Sequence, residues 1–111
     1  MKTAPATDLI TLHAPRDFRG EAATALLAEA EASLIPNLHV LELDFSDTVL
    51  MDGSGLGVLL ELHRYTTGRT PHVSLRILDP LPEIRHLLEL GRLHHLFAII
   101  GSNHPFGDDF S

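Results

Sequence analysis

The sequence predicts an α/β fold in which helices pack against a small, mainly parallel β-sheet. Along the chain, apolar runs typical of strands alternate with amphipathic runs typical of helices. This alternation indicates parallel strands joined by right-handed crossovers. The length of 111 residues and the hydrophobic content of 44% are ordinary for one globular domain with a modest core. We place this domain at residues 8–100, between flexible tails at 1–7 and 101–111.

The first part of the domain contains one strand and one helix. Residues 9–12 are mostly apolar and predict a short strand, which Pro15 closes because proline cannot donate to a sheet ladder. Residues 21–34 predict a helix because they are rich in Ala, Leu and Glu, which are strong helix formers. The apolar stripe of this helix consists of Ala23, Leu26, Leu27, Ala30 and Leu34.

A buried strand, a short loop and a second helix follow. Residues 38–44 are apolar on both faces, which favours a central strand that is covered on both sides. The second helix begins after the loop and ends near Gly68. Its apolar positions at helical spacing are Leu56, Leu59, Leu60 and Tyr65.

The last part of the domain contains a strand, a helix and a short final strand. Residues 73–77 alternate between apolar and polar, which predicts a strand. Residues 79–82 include two prolines and open a third helix, in which we expect Gly91 to be the left-handed residue just after the end. Residues 96–100 predict the final strand, and residues 101–111 leave no room for a further helix. The apolar face of the third helix consists of Ile84, Leu87 and Leu88.

The junction before the second helix has specific chemistry. Asp52 is a good N-cap, because its carboxylate can accept a hydrogen bond from a free N–H of the first turn and complements the helix dipole. Gly53, Gly55 and Gly57 are each unfavourable inside a helix by about 1 kcal/mol relative to Ala. Their clustering indicates a tight turn, a close backbone approach or room for a partner's surface. Ser54 places a hydroxyl in the first turn, near solvent.

The run Met-Asp-Gly-Ser-Gly-Leu-Gly-Val-Leu-Leu at residues 51–60 resembles the signature loop of STAS domains. It is most similar to the anti-sigma factor antagonists of the SpoIIAA and RsbV type, and residues 83–96 also resemble that family. The family loop typically reads Asp-Ser-Ser/Thr-Gly-Leu-Gly. The residue after the Asp is the usual phosphoacceptor, and an anti-sigma factor that is also a serine kinase of the GHKL type phosphorylates it. The family usually has two strands before the first helix and a C-terminal helix, so both ends look abbreviated here.

This sequence departs from the family pattern at the phosphoacceptor. Gly53 stands there and has no hydroxyl, whereas Ser54 aligns with the second hydroxyl residue of the family loop. Ser54 is therefore a possible substitute phosphorylation site, although it is also suited to a contact or capping role. The partner-binding residues that the resemblance implies are Asp52, Gly53, Ser54, Gly55, Leu56 and Gly57.

The resemblance implies a protein-binding module that captures an anti-sigma factor and thereby releases a sigma factor. Two alternatives stay open. One is a STAS subunit of a lipid-transport ABC complex of the MlaB type, although that group usually carries Thr where Gly53 stands. The other is a scaffold domain of a stress-signalling assembly. A homodimer is possible in each case, and no cofactor is implied.

The formal net charge of −7 and the absence of a Lys/Arg cluster argue against binding to nucleic acid or to anionic membranes. A basic protein surface is a more natural partner. The sequence has no cysteine, and it shows neither a signal-peptide core nor an apolar run of roughly 18 residues that could span a membrane. We therefore expect a cytoplasmic protein.

Metal binding and catalysis have weak sequence support. The eight histidines include no pair at i,i+4, and the adjacent residues His94 and His95 are not expected to face each other on a helix. A nucleophile elbow, Gly-x-Ser-x-Gly, would need glycine where Asp52 stands, and no Gly-Lys-Ser/Thr follows the glycines. We expect a protein that is not an enzyme and has no metal site.

Overall fold

The structure, a computed structural model, describes residues 8–70 and 72–101. These residues form a four-stranded parallel sheet, a separate two-stranded sheet, three α-helices and one turn of 3₁₀ helix. In chain order the elements are β1 (Leu9–His13), β2 (Asp17–Phe18), α1 (Gly20–Ala32), β3 (Val40–Asp44), β4 (Leu50–Met51), α2 (Gly53–Thr67), β5 (Ser74–Leu78), α3 (Pro82–Leu90), the 3₁₀ turn (Leu93–His95) and β6 (Ala98–Ile100).

The main sheet has the strand order β1-β3-β5-β6, and all neighbouring strands are parallel. The helices α1, α2 and α3 connect β1 to β3, β3 to β5 and β5 to β6, so every connection runs in the same direction across the sheet. Because such crossovers are right-handed, all three helices lie on one face of the sheet. The burial of β3 agrees, since Leu41 and Leu43 are fully buried. Val40, Glu42 and Asp44 point to the other face and are only half-buried. The prediction of a mainly parallel α/β sheet is confirmed, but the expectation that this strand is covered on both faces is wrong.

The core lies between the covered face of the sheet and the helices. The predicted stripe of α1 is confirmed for Ala23, Leu26 and Ala30, which are buried. Leu27 and Leu34 are only half-buried, and Leu34 lies beyond the end of the helix at Ala32. An edge-to-face contact joins the rings of Phe18 and Phe45, whose centroids lie 5.2 Å apart at an interplanar angle of 74°. Both phenylalanines are fully buried and lie beneath the region where α2 begins.

Two short strands were missed by the sequence analysis. β2 and β4 pair in parallel, with Asp17 opposite Leu50 and Phe18 opposite Met51. A second strand therefore precedes α1, and the stretch interpreted as a simple loop before α2 contains a strand. Each is two residues long, which is too short to show the period-2 alternation by which strands are recognised.

The apolar face of α2 differs from the prediction. Leu59 is fully buried, but the side chains of Leu60 and Tyr65 are 44% and 42% exposed. The buried face instead consists of Gly55, Val58, Leu59, Leu62 and Thr66. A small residue, a threonine and three apolar residues thus form the face that packs on the sheet and on α1.

The end of α3 is displaced by one residue from the prediction. Gly91 keeps a negative φ of −83°, and its N–H donates to the carbonyl of Leu87 across 3.0 Å, as in a continuing helix. Arg92 is the residue with left-handed φ, at 62°. Gly91 therefore still takes part in the hydrogen bonds of the helix, and Arg92 rather than Gly91 adopts the left-handed conformation.

The predicted tails lie almost wholly outside the described residues, as does any C-terminal helix. In the part of the chain that the structure describes, none of the helices is sufficiently long and apolar to cross a membrane.

Candidate protein-binding surface

The start of α2 is capped by Asp52, as predicted. Asp52 has an extended backbone (φ −138°, ψ −165°), and its Oδ1 accepts hydrogen bonds from the N–H groups of Ser54 (2.9 Å) and Gly55 (3.4 Å). These bonds satisfy two of the N–H groups that have no partner within the helix. The carboxylate side chain at this junction is therefore held in one orientation.

The hydroxyl of Ser54 connects the first turns of two helices. Its Oγ donates to Asp52 Oδ1 across 2.5 Å and accepts a hydrogen bond from the backbone N–H of Gly20 across 2.8 Å. Gly20 is the first residue of α1 and has a φ of +54°, a left-handed conformation that favours glycine. Gly20 was not among the predicted site residues, and its only signal in the sequence is a glycine directly before the predicted first helix.

The three glycines of the junction have different surroundings. Gly55 is buried, and a Cβ at this position would meet the Phe18 carbonyl oxygen, with Phe18 Cδ2 and Met51 Cγ at 2.8 Å. A Cβ at Gly53 or Gly57 would meet nothing within 4 Å. Gly55 therefore allows α2 to approach β2 and β4 closely, whereas Gly53 and Gly57 leave open space on the outside of the helix.

An exposed face of α2 continues from this junction. Gly53, Gly57 and Leu60 are spaced i, i+4 and i+7, so they lie on one side of the helix. Leu60 is 44% exposed. Leu56 is half-buried and lies near the end of α3, because a Cβ added at Gly91 would be 3.7 Å from Leu56 Cδ1. We give the name α2 surface to the exposed residues Asp52, Gly53, Ser54, Gly57 and Leu60 together with the half-buried Leu56.

The charges beside the α2 surface are partly paired. Arg19 Nε and Nη2 donate to the two carboxylate oxygens of Asp17 across 2.6 and 2.9 Å, and this pairing lowers the pKa of Asp17. The hydrogen bond from the Ser54 hydroxyl is the largest cause that lowers the pKa of Asp52, and Arg19 contributes by its charge. Asp52 is therefore ionised at neutral pH, and the two carboxylates outnumber the guanidinium.

A protein-family model for the STAS domain matches residues 6–105, which is most of the chain. The chain belongs to the STAS domain family. STAS domains are in general binding and regulatory modules, and the parallel sheet with its three helices is consistent with the STAS fold. A comparison with curated proteins finds no match.

The run of residues 51–60, which resembles the STAS signature loop, forms the junction that Asp52 and Ser54 hold in place. Of the six residues that the sequence analysis singled out, four are exposed: Asp52, Gly53, Ser54 and Gly57. Leu56 is half-buried, and Gly55 is buried, so Gly55 supports the loop from beneath. The structure adds Leu60, which the sequence analysis had placed on the apolar face.

The histidines of this STAS domain include one unexpected pair. The rings of His94 and His95 have centroids 4.0 Å apart, so the expectation that these neighbours do not face each other is wrong. They lie in a single 3₁₀ turn rather than in an α-helix, and both side chains are exposed. Within residues 8–70 and 72–101, no group of three or more His, Cys, Asp or Glu side chains is arranged to hold a metal ion.

Proposed function

We propose that this STAS domain is a protein-binding module of the anti-sigma factor antagonist type, which binds an anti-sigma factor of the GHKL kinase type through the α2 surface. The observation that carries the proposal is the open space at Gly53 and Gly57, on the exposed side of a helix whose start is held by Asp52 and Ser54. A rigid start and an open side together suit a docking surface more than a structural junction alone.

The shape of the α2 surface supports close contact with another protein. Without side chains at Gly53 and Gly57, a partner's backbone or a large side chain can approach the helix directly. Leu60, one turn further along, offers an exposed apolar anchor beside this space. A small apolar centre with a polar rim is the usual composition of a specific interface.

The charge of the chain supports a basic partner surface. The formal net charge is −7, and Asp52 contributes a carboxylate at the edge of the α2 surface. Charges at the rim of an interface mainly increase the rate of association and exclude partners of like charge. We therefore expect salt to slow the association of the complex more than it speeds dissociation.

Because Gly53 has no hydroxyl, we expect that phosphorylation does not switch off binding of the partner. Ser54 is the neighbouring hydroxyl, but its Oγ already bonds to Asp52 and to the N–H of Gly20. A phosphate on Ser54 would place about −1.5 to −2 further charge beside the Asp52 carboxylate. The proposed antagonist is thus active without a phosphorylation cycle of its own.

The experiment is a pull-down from the native cell extract with mass spectrometry, followed by calorimetry with the purified partner. We expect a kinase-fold anti-sigma factor whose binding weakens at least tenfold in Gly57→Glu and in Leu60→Glu. His39→Glu is the matched control, because His39 is exposed and lies outside the α2 surface. Capture of a transporter ATPase instead would contradict the proposal and assign the chain to the lipid-transport group.

A further inference from the structure

A second feature of the molecule is a cavity of about 340 Å³ between the end of α2 and the starts of β5 and β6. Its volume lies at the lower end of the range for small-molecule sites, roughly 300–1,000 Å³. It shares no residue with the α2 surface: the α2 residues that line the cavity are His63, Thr66 and Thr67, which follow Leu60, the last residue of the α2 surface, along the same helix.

The charged and titratable side chains that line this cavity are all basic: His63, His72 and Arg76. No Asp or Glu is among the lining residues, although the chain has 15 acidic residues and 8 Lys or Arg. Arg76 Nη1 lies 3.4 Å from Glu42 Oε2, yet the Arg76 side chain is still 39% exposed. Since a guanidinium has five N–H donors, this single pairing leaves Arg76 able to bind a further anion.

Three polar side chains around the cavity also have unused hydrogen-bonding capacity. Within the described residues, the imidazoles of His63 and His72 and the hydroxyl of Ser74 take part in no hydrogen bond or ion pair. The hydroxyls of Thr66 and Thr67, in contrast, donate to carbonyl oxygens of the preceding turn, at 2.8–3.1 Å for the shorter bonds. These two hydroxyls are therefore already engaged, and their acceptors, the carbonyls of Leu62 and His63, lie within α2 rather than among the last four carbonyls at its end.

The remaining lining is apolar. The side chains of Val73, Leu75 and Phe97 are 3%, 5% and 8% exposed, and the ring centroid of Phe97 lies 6.4 Å from that of His63. The exposed Leu96 lies at the rim. An apolar floor below a group of basic side chains is suited to a ligand with an apolar body and an anionic end.

We propose that this cavity binds a small organic anion, in which one carboxylate or phosphate is carried by an apolar body about the size of an aromatic ring. Arg76, His63 and His72 hold the anionic group, and Val73, Leu75 and Phe97 contact the apolar body. The proposal does not depend on the function of the α2 surface, because no residue is shared between the two regions.

The test is a titration of the full chain, labelled with ¹⁵N, by phenyl phosphate, with benzylamine as a cation of similar size. We expect saturable amide shifts at residues 72–76 and 96–98 with phenyl phosphate, and at least tenfold weaker binding of benzylamine. The double variant His63→Gln, His72→Gln is expected to weaken phenyl phosphate binding at least fivefold. The matched control is His86→Gln, an exposed histidine on α3 outside the cavity, which should leave the affinity unchanged.

Three results would overturn the proposal: no saturable shift, shifts centred on the α2 surface, or equal binding of benzylamine. Wild-type affinity in the double histidine variant would overturn it as well. Since His72 is exposed and His63 is half-buried, both replacements should preserve the fold, and the thermal unfolding temperature of the variant verifies this. Failure of this test would leave partner binding by the α2 surface unaffected.

Discussion

The hydroxyl oxygen of Ser54 lies 2.8 Å from the backbone nitrogen of Gly20 and accepts its hydrogen bond, although the two residues are 34 positions apart in the chain. The same hydroxyl donates to Asp52. One side chain thus joins the N-terminal turns of α1 and α2, and it connects the STAS signature loop to the rest of the domain. The geometry of the loop therefore depends on the packing of α1.

Ser54→Ala tests this connection. We expect the free energy of unfolding to fall by about 1 kcal/mol, the usual net value of a hydrogen bond, and the amide of Gly20 to exchange faster with solvent. Urea unfolding and hydrogen exchange measure the two effects. Ser33→Ala is the control, because the Ser33 hydroxyl bonds only to a carbonyl of its own helix, that of Glu29. Unchanged exchange at Gly20 in Ser54→Ala would contradict the connection.

Gly55 and Gly57 should respond in opposite ways to alanine. In Gly57→Ala the new methyl group meets nothing within 4 Å, so better helix propensity should stabilise the domain by about 0.5–1 kcal/mol. In Gly55→Ala the methyl group collides with the backbone of Phe18, so we expect a loss of about 1–3 kcal/mol. Urea unfolding of the two variants is the measurement, and equal effects would contradict the close approach at Gly55.

Stability should fall in acid, and Asp52 should contribute to this. The hydrogen bond from Ser54 lowers the pKa of Asp52 in the folded state below its ordinary value of about 4. The ionised form is therefore favoured by folding, and its contribution is present above pH 4 and disappears as the pH falls through the lower folded pKa. Unfolding in urea between pH 7 and pH 2 should show a smaller decline in Asp52→Asn.

The control for the acid experiment is Asp47→Asn. Asp47 is exposed and makes no hydrogen bond or ion pair within the described residues. Its replacement should leave the decline as in the wild type. If Asp52→Asn behaved in the same way as Asp47→Asn, the capping bonds would not stabilise the ionised form.

Tyr65 reports on the contact between α1 and α2. It is the only tyrosine, and there is no tryptophan, so its ionisation can be followed by absorbance at alkaline pH. The nearby carboxylate of Glu31, and to a smaller extent that of Glu61, favours the protonated phenol and raises the pKa of Tyr65. Glu31→Gln should lower this pKa towards its ordinary value, whereas Glu21→Gln in the first turn of α1 should not. An unchanged pKa in Glu31→Gln would place the two side chains apart in solution.

Gly53→Ser should create a phosphoacceptor at the position where the resemblance to anti-sigma factor antagonists places one. The position has room, since a Cβ there meets nothing within 4 Å. With the proposed kinase partner and ATP, we expect stoichiometric phosphate on the variant and none on the wild type, as measured by mass spectrometry. Stoichiometric phosphate on Ser54 of the wild-type chain would contradict the proposal that partner binding is not controlled by phosphorylation.

The sequence by itself determined the features that depend on local chemistry or on periodic patterns. Alternating strand and helix patterns predicted the parallel α/β sheet, and the apolar stripe of α1 correctly predicted the burial of Ala23, Leu26 and Ala30. The capping role of Asp52 was also predictable, because an N-cap bonds to residues two and three positions further along the same chain. The run of residues 51–60 was specific enough to indicate the STAS family, which the match over residues 6–105 shows.

Only the tertiary structure distinguished residues that are alike in sequence. Gly55 and Gly57 have the same local propensities, but only Gly55 lies against Phe18 and Met51, which come from other parts of the chain. The bond between Ser54 and Gly20 spans 34 residues and leaves no periodic signal. Leu60 follows a buried leucine at a plausible helical position, yet the packing of α2 turns it towards solvent. These outcomes depend on which surfaces meet when the helices pack on the sheet, and that packing is a property of the whole chain.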